Sequence, residues 1–180
     1  MSEDTTPLLT PERVKIIKKN DSKKRVIEIL AELLATPQED IDKNAIFDAL
    51  IAREKLGNTL LTKGIALPRA RLTINKPRAA VVYLKKGIHL DSPDKQPTKL
   101  FLALLIPRQE TDNENPAETD HYNKMIKNLI IELSKASVLD EFTASKNPQI
   151  LVNYFNQILK PDAYLSEAIS NETTFNKETS

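Results

Sequence analysis

Residues Ile46–Leu72 read IFDALIAREKLGNTLLTKGIALPRARL, and the organisation of the chain turns on how this stretch divides. Its first part has a helical period. Asp42 caps a helix that runs to Leu56, where Gly57 supplies the stop. With Ile46 as origin and about 100° per residue, Leu50 falls at about 40°, Leu56 at about 280° and Ala49 at about 300°, which makes an apolar arc. Asn44, Asp48 and Lys55 gather on the opposite, solvent side. Arg53, at about 340°, lies inside the apolar arc, and Glu54, at about 80°, on its flank. Desolvating an unpaired guanidinium costs several kcal/mol, so Arg53 needs an outlet. Two readings stay open. Either it snorkels from the last turn or pairs with a structural carboxylate, or it points into a polar pocket at the sheet edge where an anion binds. Beyond Gly57 the helical period ends, and short extended pieces fit Ile65–Leu67 and Arg71–Ile74.

Upstream, Arg13–Lys19 (RVKIIKK) has β-branched residues between lysines and suits a short edge strand. Asp21 or Ser22 then caps a helix to Ala35 whose apolar face carries Val26, Ile27, Ile29, Leu30, Leu33 and Leu34, and Pro37 breaks it. Downstream, Ala79–Leu84 and Leu100–Ile106 read as stronger strands, followed by an acidic loop, Arg108–Asp120, that contains Pro116. Helices are expected at His121–Ala136, Val138–Ala144 and Asn147–Leu159, the last with Asn147 as cap and Pro148 in its first turn. The expected division is a flexible lead over 1–11, one domain over 12–160 and a disordered tail over 161–180. Two helices, several strands and then more helices pack most economically as helices covering a small mixed sheet.

Composition narrows the chemistry. The 180 residues include 26 Lys and Arg against 25 Asp and Glu, with 3 Gly, 2 His, no Cys and no Trp. An average chain of this size carries about a dozen glycines. Neither a G-x-G-x-x-G turn nor a Walker loop can be written anywhere, so Gly-rich phosphate cradles are excluded. Without cysteine there are no disulfides, thiolate zinc sites or cysteine nucleophiles. His89 and His121 fit no zinc spacing, so neither metal nor cofactor is expected. A net charge of +1 argues against nucleic acid as partner. The one basic cluster, Arg13–Arg25, reads as a solvated strand edge and helix start. The acidic opening MSEDTTPLLTPE is no signal peptide and no apolar run is long enough for a membrane span, so a cytoplasmic protein without membrane insertion is expected.

The stretch quoted first resembles the signature of the IIA component of the phosphoenolpyruvate-dependent phosphotransferase system (PTS), of the fructose/mannitol type. Its nearest subtype is the nitrogen-regulatory IIA protein. That signature runs A-[LI]-x-x-R-E-K-x-G-S-T, then a Gly-containing turn, then G-[IV]-A-[IV]-P-H. Here Arg53-Glu54-Lys55-Leu56-Gly57 and Ala66-Leu67-Pro68 stand at the matching spacing. The similarity extends upstream through Ser22–Ala35 (SKKRVIEILAELLA) and downstream through His89–Pro107 (HLDSPDKQPTKLFLALLIP) into the terminal helices. The resemblance implies an α/β three-layer sandwich, a small mixed β-sheet flanked by helices. It also implies a histidine, after the A-x-P tripeptide, that takes a phosphoryl group from a phosphocarrier protein. That histidine passes the group on, or lets regulatory targets read its state.

At the position after Ala66-Leu67-Pro68 this chain has Arg69. An arginine keeps its proton at working pH and has no lone pair to attack phosphorus. The family's T-G-I-G-N-G approach is altered as well, since Thr59-Leu60-Leu61-Thr62-Lys63-Gly64 keeps only the last glycine. By the family's pattern Arg53, Thr59 and His121 match residues near the phosphorylated histidine. Arg69 is then either an eroded position that packs outward or one half of a permanent cationic pair with Arg53. Such a pair needs an anion between its members, whether Glu54, a partner's acid or an inorganic oxyanion. His121, read as opening its helix, is either a passive rim residue or a replacement phosphoacceptor; His89 reads as surface. Three functions follow: a regulatory protein working by protein–protein contact, a phosphotransferase using His121, and an anion-sensing module built on Arg53 and Arg69. The partners implied are the PTS phosphocarrier protein and regulatory targets such as transporters or sensor kinases.

Overall fold

The computed structural model describes residues 7–19, 21–36, 41–108, 116–135, 138–145 and 147–159. Five strands form one mixed sheet: β1 (Val14–Ile17), β2 (Ile65–Ala66), β3 (Arg69–Leu72), β4 (Arg78–Ile88) and β5 (Thr98–Pro107). The helices among the described residues are α1 (Lys23–Leu34), α2 (Lys43–Leu56), α3 (Pro116–Lys135), α4 (Val138–Ser145) and α5 (Pro148–Ile158). The strand order is β1-β4-β5-β2, and β3 also pairs with β5. β4 and β5 run antiparallel at the centre, Ala80 opposite Ala103, and every other pairing is parallel.

The period of two along the central strands sorts their side chains into two cores. Ala80, Val82, Leu84, Phe101, Ala103 and Leu105 pack against Val26, Leu30 and Leu34 of α1 and Ile46 and Leu50 of α2. Val81, Tyr83, Leu100, Leu102 and Leu104 pack against Leu129 and Leu133 of α3, Phe142 of α4 and Phe155 of α5. Burial on both faces is why β4 and β5 read as unbroken apolar runs. The result is the expected three-layer sandwich.

Local signals set the helix ends. Ser22, rather than Asp21, caps α1, its Oγ accepting the Arg25 backbone N–H at 3.1 Å. Asp42 caps α2 through the Asn44 N–H, and Asn147 caps α5 through the Gln149 N–H.

Three elements differ notably from expectation. β3 begins at Arg69 rather than Arg71, because pairing with Leu104 on β5 starts as soon as the chain leaves Pro68. β4 continues through Lys85–Ile88 past an irregularity after Tyr83, with Gly87 at a φ of +71°. α3 begins at Pro116, a residue suited to a helix's first turn, so His121 sits in the second turn and does not open the helix.

Within the lead expected over 1–11, Leu8 and Leu9 are buried in the core of the α3–α5 side. Asn156 of α5 holds both backbone groups of Leu9, and the Leu8 carbonyl accepts the Ala79 N–H at 2.8 Å. Residues 1–6, the tail expected over 161–180 and most of the acidic loop lie outside the described residues. Among the described residues no helix is long and apolar enough to cross a membrane.

Candidate functional site

The candidate site gathers where α2 ends, the 57–64 loop turns, and β3 begins. Gly57 closes α2 with a φ of +156°, a conformation that side chains disfavour, and its N–H reaches the Glu54 carbonyl at 3.2 Å. Arg53 Nη1 donates to the Gly57 carbonyl at 2.9 Å, so this half-buried guanidinium caps its own helix. That is the last-turn outlet open to it in the sequence. Leu56, placed on the apolar arc by its periodicity, is 85% exposed at the C-terminal end of α2.

Glu54 turns the other way. One carboxylate oxygen accepts from Lys23 Nζ at 2.8 Å and the other from the Thr59 hydroxyl in a very short hydrogen bond. Thr59 is buried, and its carbonyl accepts the Leu67 N–H at 2.9 Å, which stitches the loop to the end of β2. Lys23, the first residue of α1, was not among the expected site residues. The only local hint of it is its membership of the basic cluster Arg13–Arg25.

Arg69 opens β3 opposite Leu104. Ala70 and Leu72 belong to the core on the α1–α2 side, which leaves Arg69 and Arg71 to the face covered by α3. Arg71 Nη2 meets Asn123 Oδ1 of α3 at 2.8 Å. Arg69 Nη1 has a long bond, 3.5 Å, to the Leu67 carbonyl. Burial holds its guanidinium below the ordinary arginine value; the charge of Arg53 adds to this and Glu54 opposes it. Arg53, Glu54 and Arg69 therefore share one electrostatic neighbourhood, and Thr59 joins it through Glu54.

His121 lies on α3 and takes no part in that hydrogen-bonded cluster. It is half-buried on α3, its ring 5.4 Å from that of Tyr122 and tilted by 57°. Among the described residues no hydrogen bond or ion pair joins it to Arg53, Thr59 or Arg69. His89 is exposed. The described residues contain no group of three or more His, Cys, Asp or Glu side chains that could hold a metal ion. Two guanidiniums share this neighbourhood, and the head of β3 carries no nucleophile.

Comparison with known proteins fits this layout. Residues 7–158 match the family of phosphoenolpyruvate-dependent sugar phosphotransferase system EIIA 2 domains. The nitrogen regulatory protein of Pseudomonas aeruginosa is 33% identical over 145 residues, covering 80% of this chain and 89% of that protein. A nitrogen regulatory protein homolog of Haemophilus influenzae is 35% identical over 149 residues, covering 79% and 84%. The crystal structure of nitrogen regulatory protein IIA-Ntr from Neisseria meningitidis has the same fold. It superposes with a TM-score of 0.65 at 23% identity, over 85% of this chain and 97% of that one. With the family match spanning nearly all the described residues, the chain belongs to the EIIA type 2 family of the phosphoenolpyruvate-dependent phosphotransferase system.

Proposed function

We propose that this chain is a nitrogen-regulatory-type IIA-like protein that acts in the cytoplasm by protein–protein contact, with the family's histidine phosphorylation lost. The observation that carries the reading is Arg69 at the head of β3, next after Ala66-Leu67-Pro68, with Arg53 close enough to perturb its charge. Phosphoryl acceptance needs a nitrogen lone pair, and a guanidinium offers none. Burial and a neighbouring cation lower the Arg69 affinity for its proton but leave it charged at working pH. Phosphorylation of a histidine there adds negative charge, whereas Arg69 adds a fixed positive one. A partner that reads this surface meets a permanently unphosphorylated state. The partner classes are the phosphocarrier protein of the system and regulatory targets such as transporters or sensor kinases.

A second reading, an anion-sensing pocket, is favoured by one observation. Both guanidiniums donate to backbone carbonyls, Gly57 and Leu67, while Glu54 is engaged by Lys23 and Thr59. An oxyanion, or a carboxylate from a partner, would relieve the repulsion between Arg53 and Arg69. The remaining reading, His121 as phosphoacceptor, makes an opposite prediction in the same assay. Incubation with phosphoenolpyruvate, enzyme I and the cognate carrier, followed by intact mass measurement, is expected to leave the mass unchanged. A stoichiometric phosphate adduct that His121→Ala abolishes would overturn the proposed function.

A further inference from the structure

Three strands deliver one lysine each to a cleft at the end of the sheet where β1 stops and β5 starts. Lys18 follows β1, Lys85 lies in β4 and Lys99 in β5. The parallel register Ile16 to Tyr83 sets Lys18 beside Lys85, two residues further along the same face. Ile16, Tyr83 and Phe142 make an apolar floor to a cavity of about 440 Å³, within the range of small-molecule sites. The floor is firmly held. Tyr83 and Phe142 meet edge to face at 4.7 Å, and the Tyr83 hydroxyl lies 3.4 Å from Thr143 Oγ1.

The charges at the rim are unbalanced. Lys23, Lys95 and Lys135 each have a carboxylate within ion-pair distance, whereas none of Lys18, Lys85 and Lys99 does among the described residues. Asp140 lines the adjoining groove, which shares Lys99 and Thr143 with the cleft. Three lysines lining one cleft favour an anion, and the apolar floor favours an apolar body attached to it. The cleft is separate from the family site. Lys99 and Leu104, the β5 partner of Arg69, are five residues apart, about 16 Å along the strand.

We propose that this cleft is a second ligand site that takes a small organic phosphate. The ligand's apolar ring rests on Ile16, Tyr83 and Phe142, and its phosphate is met by Lys18, Lys85 and Lys99. The site is independent of any chemistry at Arg69.

Phenyl phosphate titrated into the isotope-labelled full chain, followed by amide chemical shifts, tests this. The expected shifts fall at Tyr83, Lys85, Lys99 and Thr143, and inorganic phosphate binds there at least about tenfold more weakly for want of the ring. The double substitution Lys85→Ala with Lys99→Ala is expected to weaken phenyl phosphate by about tenfold or more, while Arg69→Ala leaves it unchanged. Lys85→Gln alone, on an exposed side chain, provides the check should the double variant unfold. Three results would each overturn the proposal: shifts confined to Arg53 and Arg69, equal affinity for phenyl phosphate and inorganic phosphate, or no shift at millimolar probe. A short polyglutamate peptide that shifts these amides where phenyl phosphate does not would assign the cleft to an acidic protein partner instead.

Discussion

Glu54 and Lys23 meet across 2.8 Å, with the Glu54 side chain only 9% exposed and that of Lys23 30% exposed. Since the second Glu54 oxygen takes the buried Thr59 hydroxyl, one carboxylate ties the start of α1, the end of α2 and the loop leading to β2. Removing the shared acceptor strands a buried hydroxyl and frees an ammonium. Glu54→Ala is therefore expected to cost about 2 kcal/mol in urea denaturation at pH 7. Lys23→Ala removes one partly solvated arm and is expected to cost about 0.5 kcal/mol. Equal losses for the two variants would contradict Glu54 as the shared acceptor.

The turn before β2 depends on Gly64. Its φ is +75°, and a Cβ there would sit 2.8 Å from the Pro97 carbonyl oxygen and 3.2 Å from Leu139. Its own carbonyl accepts the N–H groups of Lys99 and Leu100, so the turn cannot swing away without breaking the start of β5. Gly64→Ala is expected to destabilise by about 3 kcal/mol. Lys63, the preceding residue, holds a φ of +59° with a full side chain. Lys63→Asn, which tolerates that conformation better, is expected to gain about 0.5 kcal/mol by thermal unfolding.

Thr98 opens β5 fully buried, and its hydroxyl has no hydrogen-bond partner among the described residues. Valine has the same shape without the polar atom. Thr98→Val is expected to raise stability by about 1 kcal/mol, read as a shift in the denaturation midpoint with an unchanged slope. A loss of stability would reveal a partner for that hydroxyl.

What could be read in the sequence was what local chemistry decides. Both ends of α2 follow from Asp42 and Gly57, and β4 and β5 from apolar runs that only a doubly covered strand tolerates. The start of β3 was missed because Arg69-Ala70 has no strand pattern of its own; pairing with β5 makes it a strand. The wheel misplaced Leu56 because periodicity gives a residue's direction but not whether anything lies opposite. At the site, the family signature points to Thr59 and Arg69, the helical period to Arg53 inside the apolar arc before the signature adds to it, and the helix flank to Glu54. Lys23 lies 31 residues from Glu54 in the chain, and only the packing of α1 on α2 brings the two together.

Asp94 provides the acid-sensitive contact of the same turn. Its carboxylate accepts the Lys63 N–H at 2.7 Å and the Gln96 N–H at 3.2 Å, and the Lys63 bond is the main reason it titrates below the ordinary aspartate range. A depressed carboxylate stabilises the fold above its unfolded value and loses that contribution as pH falls through the folded one. Asp94→Ala should thus lower the melting temperature at pH 7. The gap from the parent should close only below the ordinary aspartate range. A gap that persists undiminished at pH values well under 3.8 would assign the effect to packing rather than to charge.

Arg69→His restores the family's residue at the head of β3, with Arg53, Glu54 and Thr59 already in place around it. An imidazole there would gain what the guanidinium lacks, a nitrogen free to attack phosphorus. It would also remove the fixed charge next to Arg53, leaving that guanidinium to meet the incoming phosphoryl group. With phosphoenolpyruvate, enzyme I and the carrier, the variant is expected to acquire one phosphate that the parent does not, read by intact mass. If it stays unmodified, the cause lies in the approach to the site. Leu60, Leu61, Thr62 and Lys63 replace the family's glycine-rich turn, and a phosphoryl donor must still come in line with the new imidazole. Restoring glycines at Leu60 and Thr62 in the Arg69→His background separates a blocked approach from a site that has lost more than its nucleophile.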